Sequence, residues 1–302
     1  MKAYLLAAAA LCAVGSAQPA FAQDADTDVE TTSGGDWTGA YFGGRIGIAD
    51  VSDDDDETVL FDTNLDGTFD PSERVRVAVP ATAPPGTVGA DAFTTGFCGG
   101  TALAATGPRA TPAIRCRGDS ERTQYAGHVG FDFDLGRIVV GVLGEYERDD
   151  DLADTVTAFS TTPANYVLSR ELRDSFAVRA RVGYDFGSTL AYVTGGGVYG
   201  RFRNTFSSSN TANAFEVTNG REEEFGYRVG GGLEQRFGPN LSLGLQYLFT
   251  SIEDEESGVL TTRGTAPATN PFILVNPNGT AFLRSNERFD YANWSVTASF
   301  RF

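Results

Sequence analysis

Twelve residues carry an oxygen pattern suited to a hard cation: Asp62-Thr63-Asn64-Leu65-Asp66-Gly67-Thr68-Phe69-Asp70-Pro71-Ser72-Glu73. Asp62, Asn64 and Asp66 place side-chain oxygens at positions 1, 3 and 5. Gly67 at position 6 permits a sharp turn, and Thr68 offers a backbone carbonyl at position 7. Asp70 stands at position 9, and Glu73 at position 12 can close the site with both oxygens. Calcium takes six to eight such oxygens, and this spacing is that of the calcium-binding loop. Asp70-Pro71-Ser72-Glu73 also reads as an N-cap, a proline at the first helical position and a capping-box acid, so one helical turn could aim Glu73 back at the ion. The other reading is an Asp/Gly-rich surface turn. If calcium binds, the expected affinity is weak, on the order of 10⁻⁴–10⁻³ M as in extracellular modules.

Other residues with chemical potential have weaker patterns. Cys98 and Cys116 are the two cysteines left once the first residues are set aside, and in an exported chain they read as one disulfide. Closing that loop stabilises by about 3 kcal/mol on the chain-entropy model. Gly195-Gly196-Gly197-Val198-Tyr199-Gly200 fits G-x-G-x-x-G, but it lies inside an extended run with no helix after it, so no dinucleotide site is expected. His128 is the single histidine. Gly130, not serine, stands two residues on, and Asp132 alone makes no catalytic set, so an enzyme is not expected.

The elements that must position these residues have a period of two. In the last ten residues Trp294, Val296, Ala298, Phe300 and Phe302 share one face, and Asn293, Ser295, Thr297, Ser299 and Arg301 share the other. That is a strand. Alternation of the same kind opens at Trp37 and recurs at 123–134, 138–148, 172–186, 189–203, 224–237, 241–251 and 287–302. Three connections are short, at Leu135-Gly136-Arg137, Gly187-Ser188 and Gly238-Pro239-Asn240, and the other four are long. This asymmetry belongs to a membrane barrel with short periplasmic turns and long external loops. Residues after 22 hold no long apolar run, so only a closed barrel could satisfy the backbone in lipid.

The two ends fit this reading. Met1-Lys2, the apolar stretch Leu5 to Val14 and Ala20-Phe21-Ala22 form a secretory signal peptide over 1–22. Acidic, aperiodic residues 23–36 read as a disordered periplasmic leader. The net charge of −17 argues against nucleic acid as a partner. The run Trp37-Thr38-Gly39-Ala40-Tyr41-Phe42-Gly43-Gly44, with the terminal Phe302, resembles the small outer-membrane barrel and surface-antigen family that includes OmpA-like membrane domains. The resemblance covers the membrane strands and not the loops. It implies a monomer in the cell outer membrane, with outer-membrane lipid as its surroundings. It also implies insertion by the barrel-assembly machinery through the C-terminal strand, and a role in membrane integrity, adhesion or antigenicity.

The expected fold is therefore all-β: an eight-stranded antiparallel up-and-down transmembrane barrel over 37–302, with long extracellular loops. Loop 1 would span 51–122 and hold the calcium loop and the disulfide. Its EF-hand-like sequence has extended flanks, Val59 to Phe61 and Arg74 to Val79, where that family has helices. Arms of the loops alternate too: Val75, Val77 and Val79; Val156 to Phe159 opposite Tyr166 to Leu168; Thr205 to Ser207 opposite Phe215 to Thr218. These predict a protruding, exposed sheet. Acidic runs at Asp53 to Glu57, Asp149 to Asp151, Glu222 to Glu224 and Glu253 to Glu256 would form an outer ring able to hold divalent cations.

Inside an eight-stranded barrel there is room only for side chains. The inward set is Arg45, His128, Asp132, Glu145, Arg179, Arg181, Asp185, Arg228, Glu234, Arg236 and Gln246. Glu145 is expected to pair with some of Arg179, Arg181 and Arg228. Three functions stay open: a structural and surface-interaction protein with a plugged lumen and an unidentified extracellular ligand, a small porin-like channel, and a lipid-modifying barrel enzyme.

Overall fold

A computed structural model describes residues 37–52, 57–103, 116–119, 121–253 and 258–302. The expected signal peptide and leader lie outside these residues. The first strands are β1 (Gly39–Val51), β2 (Val59–Asp62), β3 (Gly96–Gly99), β4 (Thr101–Ala102) and β5 (Cys116–Arg117). Next come β6 (Arg122–Asp134), β7 (Ile138–Ser160), β8 (Ala164–Asp185), β9 (Thr189–Ser208) and β10 (Ala214–Thr218). The last are β11 (Arg221–Phe237), β12 (Leu241–Glu253), β13 (Gly258–Thr262), β14 (Thr280–Arg284) and β15 (Arg288–Arg301).

Eight of them, β1, β6, β7, β8, β9, β11, β12 and β15, pair with their sequence neighbours, and β1 closes the ring against β15 from Tyr41↔Arg301 to Val51↔Tyr291. Every pairing in the ring is antiparallel. The barrel is the one the alternation predicts. Along β15, Trp294 and Phe300 are 67% and 42% exposed, while Thr297, Ser299 and Arg301 are below 10%. The apolar face points outward, as lipid demands, and the polar face points into the lumen. Each short turn holds a glycine at positive φ, Gly136, Gly187 or Gly238, where a side chain would be strained.

The other end departs from the expected exposed sheet. Strands β7, β8 and β9 run past the barrel, and a second sheet, β10-β13-β14-β2, packs against them. Between them lies a hydrophobic core: Phe61, Phe93, Tyr166, Phe272 and Phe282, with Val59, Val75, Val156 and Val259. The loops thus form a packed head, driven by burial of apolar area as in any soluble domain. Val156 pairs with Leu168 as expected. Thr205 does not meet the Phe215 arm; it pairs with Ser169 on β8, and Phe215 pairs with Thr261 on β13. Val75 is buried, but its arm makes only the isolated bridge Arg76↔Asp91.

Candidate functional site

Below the head the interior is layered. A ring of Leu152, Leu172, Val198, Phe202, Ile252, Phe289 and Tyr291 fills the barrel mouth. Just above it four buried charges interlock. Arg284 grips both oxygens of Glu57 at 2.7 Å and reaches Asp154 at 2.7 Å, while Arg170 holds Asp154 at 2.8 Å. Burial raises the Glu57 carboxyl above its usual range despite Arg284. Burial also opposes charge on Asp154, but Arg284 and Arg170 outweigh it and its pKa is lowered. Of the expected acidic ring, Glu57 is therefore a buried structural ion; residues 53–56 and 254–256 lie outside the described residues.

Below the apolar ring is the larger network. Glu145 accepts from Arg45 at 3.0 Å, Arg179 at 2.9 Å and Arg228 at 2.7 Å. Glu147, absent from the expected inward set, joins it through Arg45, Arg228 at 2.8 Å and the Tyr291 hydroxyl at 2.7 Å. Of the three arginines offered as partners for Glu145, Arg179 and Arg228 reach it and Arg181 pairs elsewhere. Two residues along the strand from Arg179, it sits a layer lower, with Asp132, Glu234 and Arg301. Arg301 spans Asp132 at 2.8 Å and Glu234 at 2.9 Å and lies over the rings of Trp37 and Tyr41 at 4.8 and 4.6 Å. The polar face of the last strand carried the signal for Arg301. Asp185 accepts from the Trp37 indole at 3.1 Å, Gln246 donates to Tyr192 at 3.1 Å, and Arg236 lies 5.4 Å from the Trp37 ring centre. A cavity of about 20 Å³ beside Tyr41, His128 and Arg179 is the size of one water molecule.

His128 has a serine partner after all. Its Nε2 lies 2.9 Å from Ser299 Oγ, across Gly43, which is paired with both residues. A Cβ on Gly43 would meet His128 Nε2 at 2.7 Å and Ala298 O at 2.2 Å, so glycine there makes the contact possible. The pair is buried in the lumen between charged layers, and no carboxylate among the described residues bonds the imidazole. Gly196, from the G-x-G-x-x-G match, serves the packing of strands. A Cβ there would meet the Val178 carbonyl at 1.9 Å, so it permits close backbone approach of β8.

In loop 1 the oxygen-rich segment curls on its own side chains. Asp62 accepts from the N–H groups of Leu65 (2.6 Å), Asp66 (3.2 Å) and Gly67 (2.8 Å). Asn64 accepts from Asp66 N–H and Asp66 from Thr68 N–H, both at 2.8 Å, and Asp70 accepts from Ser72 N–H at 2.7 Å. Gly67 takes φ +84°, the turn its position calls for. Glu73 returns to the start of the loop and accepts from Thr63 N–H at 2.7 Å and its hydroxyl at 2.5 Å. The bond from Thr68 N–H lowers the Asp66 pKa, and that from Ser72 lowers Asp70. Among the described residues no three acidic, His or Cys side chains converge as around an ion. Cys98 and Cys116 are joined, with Cα atoms 6.0 Å apart, next to β7.

The family model of the outer membrane protein beta-barrel domain matches residues 7–302. The chain belongs to this outer-membrane barrel family. Its place is accordingly the outer membrane, with the barrel in lipid. The outer membrane protein OprG of Pseudomonas aeruginosa is similar at 11% identity and a TM-score of 0.42, over 88% of this chain and 98% of that one. Ail, the attachment invasion locus protein of Yersinia pestis, solved with the heparin analogue sucrose octasulfate, is similar at 9% identity and a TM-score of 0.31, over 87% and 99%. No curated protein matches the chain.

Proposed function

We propose that this barrel is a non-conducting anchor that holds a folded interaction head above the outer membrane. The carrying observation is the interior: two layers of interlocked Arg and Asp/Glu side chains, then an apolar ring, then a packed head over the mouth. An ion crossing this barrel would have to break several buried ion pairs, each costly to leave unpaired. The porin-like alternative needs a continuous wet path, and the enzyme alternative needs lipid to reach His128; the packing supports neither. The role that remains is adhesion, antigenicity or membrane integrity, through lipid around the barrel and an extracellular ligand on the head, acting as a monomer delivered by the barrel-assembly machinery. Planar-bilayer recordings of the refolded protein should show no discrete current steps. Regular single-channel steps would overturn the proposal.

Calcium in loop 1 belongs to the same reading. The donors are all hard oxygens, and the curl brings Glu73 from position 12 back to Thr63 at position 2. Asp62, Asn64, Asp66, Thr68, Asp70 and Glu73 would hold the ion, which would stiffen the head at the end of β2 that lies away from the barrel. Isothermal titration should give calcium heat with a Kd on the order of 10⁻⁴–10⁻³ M. That heat should vanish in Asp66→Ala; no heat in the unaltered protein ends the idea.

A further inference from the structure

At the tip of the head, where β7 turns into β8, lies a cavity of about 180 Å³. Four stretches of chain meet there: that turn, the connection from β9 to β10, the 3₁₀ turn Pro271–Ile273, and Ala92-Phe93 of loop 1. The floor is aromatic. Phe93, Tyr166 and Phe272 are buried, with ring centres 5.4–6.0 Å apart and planes inclined by 59–67°. The lip is exposed to the outside and carries Thr162, Pro163 and Ser209.

Between floor and lip the side-chain amides are fixed. Asn210 uses both amide protons, one on the Tyr166 hydroxyl at 3.1 Å and one on Asn213 Oδ1 at 2.9 Å. Asn270 donates to Asn213 Oδ1 at 3.0 Å and accepts from Phe272 N–H at 3.0 Å. Asn213, buried behind them, donates to the Thr262 carbonyl at 3.0 Å. Ser209 Oγ accepts from Asn165 N–H at 3.0 Å. Among the described residues this leaves one amide proton of Asn270 and the hydroxyl protons of Thr162 and Ser209 to meet a guest.

Among the described residues no charged side chain lines the cavity, in a chain whose net charge is −17. An ionic guest would lose hydration here with no opposite charge to meet it. The guest is therefore neutral. Its size is that of one six-membered ring, since a cavity of about 150 Å³ holds benzene. A purely apolar ring would take water from the lip donors and return no hydrogen bond. A pyranose suits both surfaces: its C–H face lies against aromatic rings, and its hydroxyls stand around the edge.

We propose, on the reading of the head as an interaction surface, that this cavity receives one neutral pyranose unit of an extracellular glycan. The mutual amide bonds hold the rim in place beforehand, so little ordering entropy is lost on capture.

The test uses full-length protein in nanodiscs and saturation-transfer NMR with methyl glycosides of glucose, galactose, mannose, N-acetylglucosamine and glucuronic acid. At least one neutral glycoside should receive transfer, strongest at its ring C–H protons. The glucuronide should receive less than the best neutral glycoside by about tenfold, because its carboxylate finds no cation. Ala212 lines the cavity, and its backbone bonds with Asn210 and Thr265 do not involve its side chain. Ala212→Phe should therefore fill the space and abolish transfer, while Val88→Phe, on an exposed loop outside the cavity, should not. A second variant leaves the interior untouched: Thr162→Val with Ser209→Ala on the lip should weaken binding by about threefold or more. No transfer to any neutral glycoside, equal transfer to the glucuronide, or transfer unchanged in either cavity variant overturns the proposal. Binding of acetylated, amidated phenylalanine or proline in place of the sugars would also overturn it, in favour of a peptide side chain. The planar-bilayer recordings are independent of this result, so loss of the sugar site would leave the non-conducting anchor standing.

Discussion

Replacing Glu145 and replacing Arg179 should have unequal costs, although they are two ends of one ion pair. The middle lumenal layer holds three guanidinium groups, Arg45, Arg179 and Arg228, against two carboxylates, Glu145 and Glu147. Its net charge is therefore +1. Glu145→Gln raises this to +2 and leaves Arg179 with Thr194, 3.4 Å away, as its remaining side-chain partner. Removing one member of a buried pair costs about 3–5 kcal/mol, because the stranded charge stays dehydrated. Arg179→Met takes the layer to neutrality, keeps most of the volume, and leaves Glu145 held by Arg45 and Arg228, so it should cost about 1 kcal/mol or less. The assay is urea unfolding of protein folded in lipid vesicles, followed by fluorescence of Trp37 inside the lumen and Trp294 on the lipid face. A large midpoint shift for Glu145→Gln and a small one for Arg179→Met is expected. Equal shifts, or a larger one for Arg179→Met, would show that charge balance does not govern this interior.

Other outcomes follow from the same layers. Phe282→Ala should cost about 3–5 kcal/mol in the head, visible as faster protease cleavage of the loops while the barrel stays intact on gels. Cys98→Ser with Cys116→Ser should weaken the head by about 3 kcal/mol, again without loss of the membrane-embedded fragment. The lowered Asp154 pKa stabilises the head at neutral pH, and that contribution is lost as pH falls through its folded value, below the usual 3.8. Head protease resistance should therefore drop in strong acid and recover on neutralisation, and Asp154→Asn should be weak already at pH 7. Gly196→Ala sets a Cβ against the Val178 carbonyl at 1.9 Å; refolding yield, read by heat-dependent gel mobility, should fall sharply.

The barrel was legible because lipid outside and charge inside impose one rule on every strand, and the segregation of short and long connections accompanies that period of two. The head was not, because its core comes from residues scattered over four loops. Phe61, Phe93, Phe272 and Phe282 lie in short segments with no sustained period. The five residues of β10 alternate, and alternation that short accepts more than one edge. Phe206 and Phe215 do touch, with ring centres 5.0 Å apart, but by packing between sheets and not by pairing within one. In the lumen the residue types were readable and the layers were not. Which arginine meets which carboxylate depends on strand tilt and shear, set by closure of the whole ring. The oxygen-rich segment 62–73 shows the reverse: its turn glycine and side-chain-to-backbone bonds are local and follow the sequence position by position.

Strand β7 continues from Tyr146 to Ser160, with a break in its register against β8 between Arg148 and Leu152. That is roughly 35 Å of climb after tilt, shared with β8 and β9 as one braced mast. Among the described residues three adjacent strands, bulged between Arg148 and Leu152 and between Leu172 and Asp174, join the tip to the wall and restrict its swivel. Whatever meets this protein from outside the cell meets the same face at the same bearing, held clear of the lipid by a fixed reach.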